Sequence, residues 1–576
     1  MCRTVYIIVF FLSVVFSLNA LAGRTRINNF SVPVERVTVI TDRDIYVAGE
    51  SVFFNVNVTS NDSTNNLGSR VCYMILRDTK NIYSKLYIKI NRETGFGSFY
   101  LPDTLKTGYY EVVAFTNYMR NFDESLFFRK SLIVVNRFDE WLNNLFQINN
   151  PKSKQNYVND SNLTDPEKCP VKLALEKDSF AVREKIKLTL HLDTDAYNKY
   201  RKKISISIKG VNPYTQYLLD WRNPLNSSEM ITPFSKEINY PVEKEGIYLS
   251  GKLIKPDSTP VQKERLFLST PDSIVNLQYT SSDEKGQFQF LLSDYYLGKQ
   301  LIISTESDSI GECIILLEDK FQLNQPFHHA NFILSKDLRK YIIESQKIVA
   351  IQKTYALKYL KTVPVKNSAY EFPRIYNGPT AIVYPSDYVP LNNLMEISEN
   401  ILTTAKIAVR RGKYIPYVLN TVTAEFFPKP AGVFLDGFPI YDLTPIMNLS
   451  SGDISKIELC NAIVTKGDLE YNGIISIIRS KKTDTLPLNK GIIAYSVGKF
   501  TEYSYYDLPN VPNAFYDPTP DFRQLLYWNP LMELKPGENN IEFYSSDWLG
   551  NYIIEVKGIN NEGEVFLTYS KIKVYR

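Results

Sequence analysis

Apolar residues return at every second position along much of this chain. After a turn at Gly49-Glu50 the residues Val52, Phe54, Val56 and Val58 alternate with their neighbours. The same rhythm recurs at Val112 and Ala114, Ile186 to Leu192, Ile247 to Leu253, Phe288 and Phe290, Ile541 and Phe543, and Tyr552 to Val556. A period of two puts such side chains on one face of an extended chain, so each run predicts a half-buried strand. Turn formers separate the runs, among them Pro102-Asp103, Pro256 to Pro260, Asp283 to Gly286, and Asn472-Gly473 before Ile474 to Ile478. A helical period intervenes only twice. Tyr341, Ile348, Ile351, Tyr355 and Tyr359 share one face after Ser335 as an N-cap, and Leu394, Ile397 and Ile401 share another after Pro390. Both stripes read as packing faces rather than ligand platforms. The pattern predicts a mainly β, multidomain string of sandwiches with one α+β unit.

At 576 residues the chain exceeds one ordinary core, and about 150 residues per domain suggests roughly four units. A repeat marks two of them: Asp178, Phe180 and Glu184 followed by Ile186 to Leu192 reproduce Asp44, Tyr46 and Glu50 followed by Val52 to Val58, shifted by 134 residues. The expected division is a signal peptide at 1–22, a sandwich at 32–136, a polar linker at 137–168 and a second sandwich at 169–242. A third sandwich at 243–318, a helical connector at 319–366, an α+β unit at 367–482 and a last sandwich at 483–576 complete it. The signal is read from Arg3, the apolar run Tyr6 to Leu18 and the small-x-small site Ala20-Leu21-Ala22, so the mature chain is expected to begin at Gly23. Export to the periplasm or outer membrane follows from that reading.

Composition narrows the function classes. Aromatics reach 13%, which suits strands, and 66 basic residues nearly cancel 62 acidic ones, so the overall balance asks for neither nucleic acid nor another polyanion. Beyond the leader, Cys72, Cys169, Cys313 and Cys460 stand far apart without Cys-x-x-Cys spacing, and they read as buried thiols rather than a zinc site or disulfide framework.

Three resemblances give the units a family context. The Asp-x-Tyr-x-x-Gly-Glu entry at Asp44 to Glu50, the Pro102-Asp103 turn and Gly108-Tyr109-Tyr110 resemble macroglobulin-type (MG2-like) and Ig-like sandwiches. Ile247 to Leu253, the Pro256-Asp257 turn and Asp283 to Phe290 resemble the carboxypeptidase-regulatory-like sandwich. Val433 to Leu435, Asp436-Gly437 and Pro439, Lys456-Ile457-Glu458 and Asn472 to Ile475 resemble the plug domain of TonB-dependent outer-membrane transporters. Only 98 residues follow Ile478, too few for the barrel of about 22 strands that surrounds such a plug. The resemblances therefore imply a barrel-less envelope protein with a non-enzymatic binding or scaffold role, a separate outer-membrane barrel as protein partner, and a glycan or peptide as further ligand class. Two alternatives are a secreted surface protein whose C-terminal sandwich is a sorting domain, suggested by Gly550-x-Tyr552 and Lys571 to Val574, and a macroglobulin-like protease inhibitor. The second lacks its chemistry, because no cysteine here is followed by Gly-Glu-Gln to form a thioester.

Candidate chemistry is sparse. No Gly-x-Ser-x-Gly, His-Glu-x-x-His or Gly-x-x-x-x-Gly-Lys-Ser/Thr motif occurs, and His191, His328 and His329 are the only histidines. No catalytic, cofactor-binding or metal-ligating residue is expected. Asp42 and Asp44 read as turn residues ahead of a calcium pair, Asp436 and Asn472 as structural turn tips, and Glu35 to Ile40 as a first strand ahead of a TonB-pairing box.

Overall fold

The computed structural model describes residues 34–60, 68–136, 138–139, 171–200, 204–210, 238–306, 313–327, 336–355, 360–363, 375–481, 492–506, 520–559 and 565–576. The expected signal peptide, nearly all of the linker, Cys169, His328, His329 and Ser335 lie outside these residues. The chain is mainly β, as the alternation predicts.

The N-terminal sandwich sets the pattern. Its three-stranded sheet runs Glu35–Thr41, Ser51–Ser60, Thr94–Tyr100, and its five-stranded sheet runs Ile45–Val47, Phe128–Val135, Gly108–Phe115, Val71–Arg77, Ile82–Lys89. Val39, Val52, Phe54, Val56, Val112 and Val134 are buried in its core. Glu35 to Ile40 is thus a paired strand, with Val37 opposite Val58 and Val39 opposite Val56.

A second sandwich repeats this topology strand for strand, but from two distant pieces of chain. One sheet runs Ser179–Ala181, Val565–Tyr575, Gly550–Ile559, Ile204–Gly210, Leu525–Met532, and the other runs Gly537–Tyr544, Lys185–Leu192, Val171–Leu175. Small details recur as well. The Glu184 carboxylate accepts from Ala181 N at 2.6 Å as Glu50 does from Val47 N at 2.8 Å. Lys573 N donates to Asp178 O as Ile133 N donates to Asp44 O, at 2.8 and 2.9 Å. Tyr552 Oη donates to Trp548 O at 3.0 Å and Tyr110 Oη to Lys106 O at 2.8 Å, each four residues back. In the first copy a short hairpin joins Val71–Arg77 to Ile82–Lys89; in the second, everything from 211 to 524 stands in its place. The sandwiches expected separately at 169–242 and 483–576 are therefore one. The physical reason is that each piece is half a core: Ile186, Leu188 and Leu190 are buried against Ile554, Val556 and Val574.

Within the insertion lies the third sandwich, with sheets Gln287–Leu292, Ile247–Ile254, Ile314–Leu317 and Gln278–Ser281, Arg265–Ser269, Gln300–Thr305, Ile492–Ser496. Its last strand comes from beyond residue 483, a second departure from the expected division. The chain then runs along the N-terminal sandwich, where Thr501 N donates to Tyr87 O at 2.8 Å, before Tyr503–Tyr506 pairs with Leu360–Val363.

The α+β unit follows the third sandwich. Its main sheet is ordered Ala381–Val383, Ile454–Lys466, Leu469–Arg479, Gly432–Leu435, Phe438–Ile440, with only Gly432–Leu435 and Leu469–Arg479 parallel. A second sheet runs Ala405–Arg410, Lys413–Asn420, Glu425–Phe426. The helix Leu394–Asn400, capped by Asn393, buries Leu394 and Ile397. The longer helix Lys336–Tyr355 buries Ile342, Ser345, Ile348 and Val349; of the expected stripe Ile348 is buried and Ile351 partly buried, while the side chains of Tyr341, Tyr355 and Tyr359 lie outside what the structure describes. Ser345 Oγ accepts from Gln524 Nε2 at 2.9 Å, which ties the helix to the split sandwich. Among the described residues no helix is long and apolar enough to cross a membrane.

Candidate functional site

In the α+β unit the turn Asp436-Gly437 reverses the chain between Leu435 and Phe438, with φ of 47° and 83° at its two central residues. Asp is one of the few side chains that tolerate such a backbone, because its short carboxylate bonds locally. Here it does so while fully buried: Arg479 N and Nε donate to the two Asp436 oxygens at 2.8 and 2.6 Å. Asp272 N donates to Asp436 O at 2.8 Å, so the turn docks on the third sandwich.

Asn472-Gly473 behaves differently from expectation. It lies within the strand Leu469–Arg479, and the reversal falls instead at Gly467-Asp468, between the paired Lys466 and Leu469. Gly473, at φ 85°, sits where the pairing with Ile454–Lys466 slips between Cys460 and Ile463. A bulge needs such a residue as much as a hairpin does, and a Cβ here would stand 2.6 Å from Val418 Cβ. Asn461, within the slip, donates from Nδ2 to Leu419 O at 2.7 Å and accepts from Thr380 Oγ1 at 2.6 Å.

Beside the strand Ala381–Val383, which ends its sheet among the described residues, is a shallow open depression of about 440 Å³, lined by Ser386, Tyr388, Ser451, Ser455 and Ser480 among others. Its lining holds no carboxylate, histidine or cysteine, and so offers hydroxyl and aromatic contacts rather than acid-base groups. Ile382, Tyr384, Tyr388 and Val389 next to it are exposed, Val389 by 73%.

A cluster of buried charges lies between modules. Lys209 and Lys557 both reach Glu555 Oε2, at 2.9 and 3.0 Å, and none of the three side chains is more than 4% exposed. Lys130 meets Asp44 at 2.5 Å and Thr41 Oγ1 at 2.6 Å, while Arg43 meets Asp42 and Glu50. Ser207 Oγ donates to Asp42 O at 2.8 Å and Asn55 donates to Pro530 O, which joins the N-terminal and split sandwiches directly. Burial opposes charge on Asp44 and Glu555, but the surrounding lysines prevail and hold both carboxyls below the usual range. Burial likewise works against the Lys557 ammonium, and Glu555 and Asp44 outweigh it. Asp42 and Asp44 are thus occupied by protein cations.

A second buried group fastens the third sandwich to the first. Lys320 Nζ donates to Glu243 Oε1 and to Tyr73 Oη at 2.8 and 2.9 Å, and Tyr248 N donates to the same carboxylate oxygen at 2.9 Å. Glu35 is buried among Ser69 and Thr116, and burial raises its carboxyl above the ordinary range.

Lys209, Glu555 and Lys557 escape a reading by sequence because they occupy the polar phase of alternating strands, and Glu243 and Lys320 because they sit in loops, where solvent is the default; Lys130 instead stands in phase with the buried Phe128, Leu132 and Val134. Among the described residues Cys72, Cys313 and Cys460 are free thiols, with Cys72 and Cys460 buried and Cys313 partly exposed. His191 is exposed on Lys185–Leu192. No group of three or more His, Cys, Asp or Glu that could hold a metal occurs among the described residues.

These features define a mainly β multidomain protein with modules joined by buried charge. No family model matches the chain, and no curated protein does. Solved structures similar to it include trypsin-activated alpha-2-macroglobulin from Escherichia coli, at 8% identity and a TM-score of 0.23 over 94% of this chain and 42% of that one. Salmonella alpha-2-macroglobulin reacted with methylamine gives 9%, 0.23, 94% and 39%. A CARDB domain from Pyrococcus furiosus gives 15% and 0.15, covering 19% of this chain and 99% of its own. The chain spans less than half the length of those two macroglobulins. At such TM-scores the architecture stands on the sheets described above and not on these likenesses.

Proposed function

We propose that this is an exported, non-enzymatic envelope protein, a rigid scaffold that docks its plug-like unit on a separate outer-membrane barrel engaged in TonB-dependent transport. The observation that carries the reading is the sheet edge at Ala381–Val383, which pairs with no second strand among the described residues and is flanked by the exposed Ile382, Tyr384, Tyr388 and Val389. An open edge with exposed apolar and aromatic side chains is a surface onto which a partner strand can add, main-chain hydrogen bonds giving affinity and side chains giving specificity. The buried charge between modules supports the scaffold part, since it fixes their relative placement. The non-enzymatic part rests on the absent sequence motifs; a screen of purified protein against peptide and glycan substrates should yield no turnover.

Affinity capture of the native protein from outer membranes solubilised in mild detergent tests the partnership. A barrel protein should co-purify, and Ile382→Lys, which places a charge on this edge, should release it. Recovery of no barrel protein would count against the reading.

A further inference from the structure

From the plug-like unit a second feature projects, independent of the edge at Ala381–Val383. The strands Ala405–Arg410 and Lys413–Asn420 form a hairpin whose two-residue turn is Arg411-Gly412, with φ of 51° and 75°. Asn or Asp at the first position of such a turn would be unstrained, whereas Arg there is disfavoured. Arg410 is paired directly opposite Lys413, and like charges facing one another across a ladder are destabilising. Lys406, Arg410, Arg411 and Lys413 are exposed, and no acidic residue occurs between Ala405 and Asn420. Arg410 lies 5.5 Å from the Tyr417 ring centroid, and no carboxylate forms an ion pair with Arg410, Arg411 or Lys413 among the described residues. Two local penalties at one tip, both keeping cations outward, point to an anionic partner.

The shape of the tip selects among such partners. A Cβ added at Gly412 would meet no atom within 4 Å, so the turn is convex and open. The reverse face carries Val409, 57% exposed and paired with Tyr414. A convex tip with cations on one face and an apolar and an aromatic residue on the other matches an anionic bilayer surface, where the cations lie at the phosphates and the apolar side chains enter the interface. An acidic groove on a protein would instead leave Val409 without a role. We infer that the hairpin tip Arg410, Arg411 and Lys413, with Val409 and Tyr414 behind it, is an electrostatic anchor for an anionic phospholipid surface.

Co-sedimentation of the full chain with vesicles of equimolar phosphatidylcholine and phosphatidylglycerol tests this, with pure phosphatidylcholine vesicles as the comparison. Binding should appear only with the anionic vesicles and weaken as salt is raised. Each cation removed should weaken it about fivefold, and the triple variant Arg410→Ser, Arg411→Asn, Lys413→Thr about a hundredfold. The single variant Arg411→Asn separates function from folding: it relaxes the turn, so the thermal midpoint should rise while vesicle affinity falls. Lys413→Arg should keep the affinity. Equal binding to both vesicle types, undiminished binding by the triple variant, or saturable binding of a glutamate-rich peptide without vesicle binding would overturn the assignment, the last in favour of an acidic protein partner.

Discussion

Glu555 illustrates what single residues do in this molecule. It stands in a strand whose alternation, Ile554, Glu555, Val556, Lys557, marks it as solvent-facing, yet it is 1% exposed and shared by Lys209 and Lys557. Buried pairs of this kind are not net stabilisers, but removing one partner leaves an uncompensated charge. Glu243→Gln isolates that effect in the smaller group, because the amide oxygen still serves Tyr248 N while the Lys320 ammonium loses its counter-charge. The expected loss is about 3 to 5 kcal/mol in chemical unfolding, much of it recovered when Lys320→Met is added. Acid acts on the larger group. The Asp44 and Glu555 carboxyls lie lower in the fold than in the unfolded chain. Their contribution is therefore complete above the ordinary carboxylate range of about 4 and is lost as pH falls below it through the lower folded values. Thermal midpoints measured from neutral pH downward should drop in that acid window, and Glu555→Gln should lower the neutral midpoint and flatten the drop.

At the scale of elements, strands and turns were legible, and their partners were not. The run Ile186 to Leu192 announces a strand, but nothing in it says that Gly537–Tyr544 lies alongside. The Asp436-Gly437 turn was visible because its two residues are what a left-handed reversal needs. Asn472-Gly473 misled because a bulge makes the same demand on glycine. Arg411-Gly412 went unnoticed because arginine is a poor residue for the turn it occupies. The split sandwich makes a direct prediction about pieces: residues 169–242 or 483–576 expressed alone should give no cooperative thermal transition. The piece from 169 to 210 joined to that from 520 to 576 by a short turn, in place of the insertion, should restore one by circular dichroism. A cooperative transition from either piece alone would contradict the shared core of Ile186, Leu188, Ile554 and Val574.

For the whole molecule, the polar faces of the strands decide the assembly. Outer faces that a lone sandwich would show to water, with Asn55, Ser207, Lys209, Glu555 and Lys557, are closed against a neighbouring module. The near-zero charge balance of the sequence also conceals two opposite local arrangements, a neutralised cluster inside and a hairpin tip outside whose cations form no ion pair among the described residues. The sequence by itself determined the strand content, the turn positions, the repeat of one sandwich entry in another and the scarcity of catalytic groups, because these depend on residues a few positions apart. Tertiary structure alone decided that the second sandwich closes around a long insertion, that its polar faces are interior, and which charges pair. Those outcomes depend on which surfaces meet, and contacts between residues hundreds of positions apart leave no period in the chain.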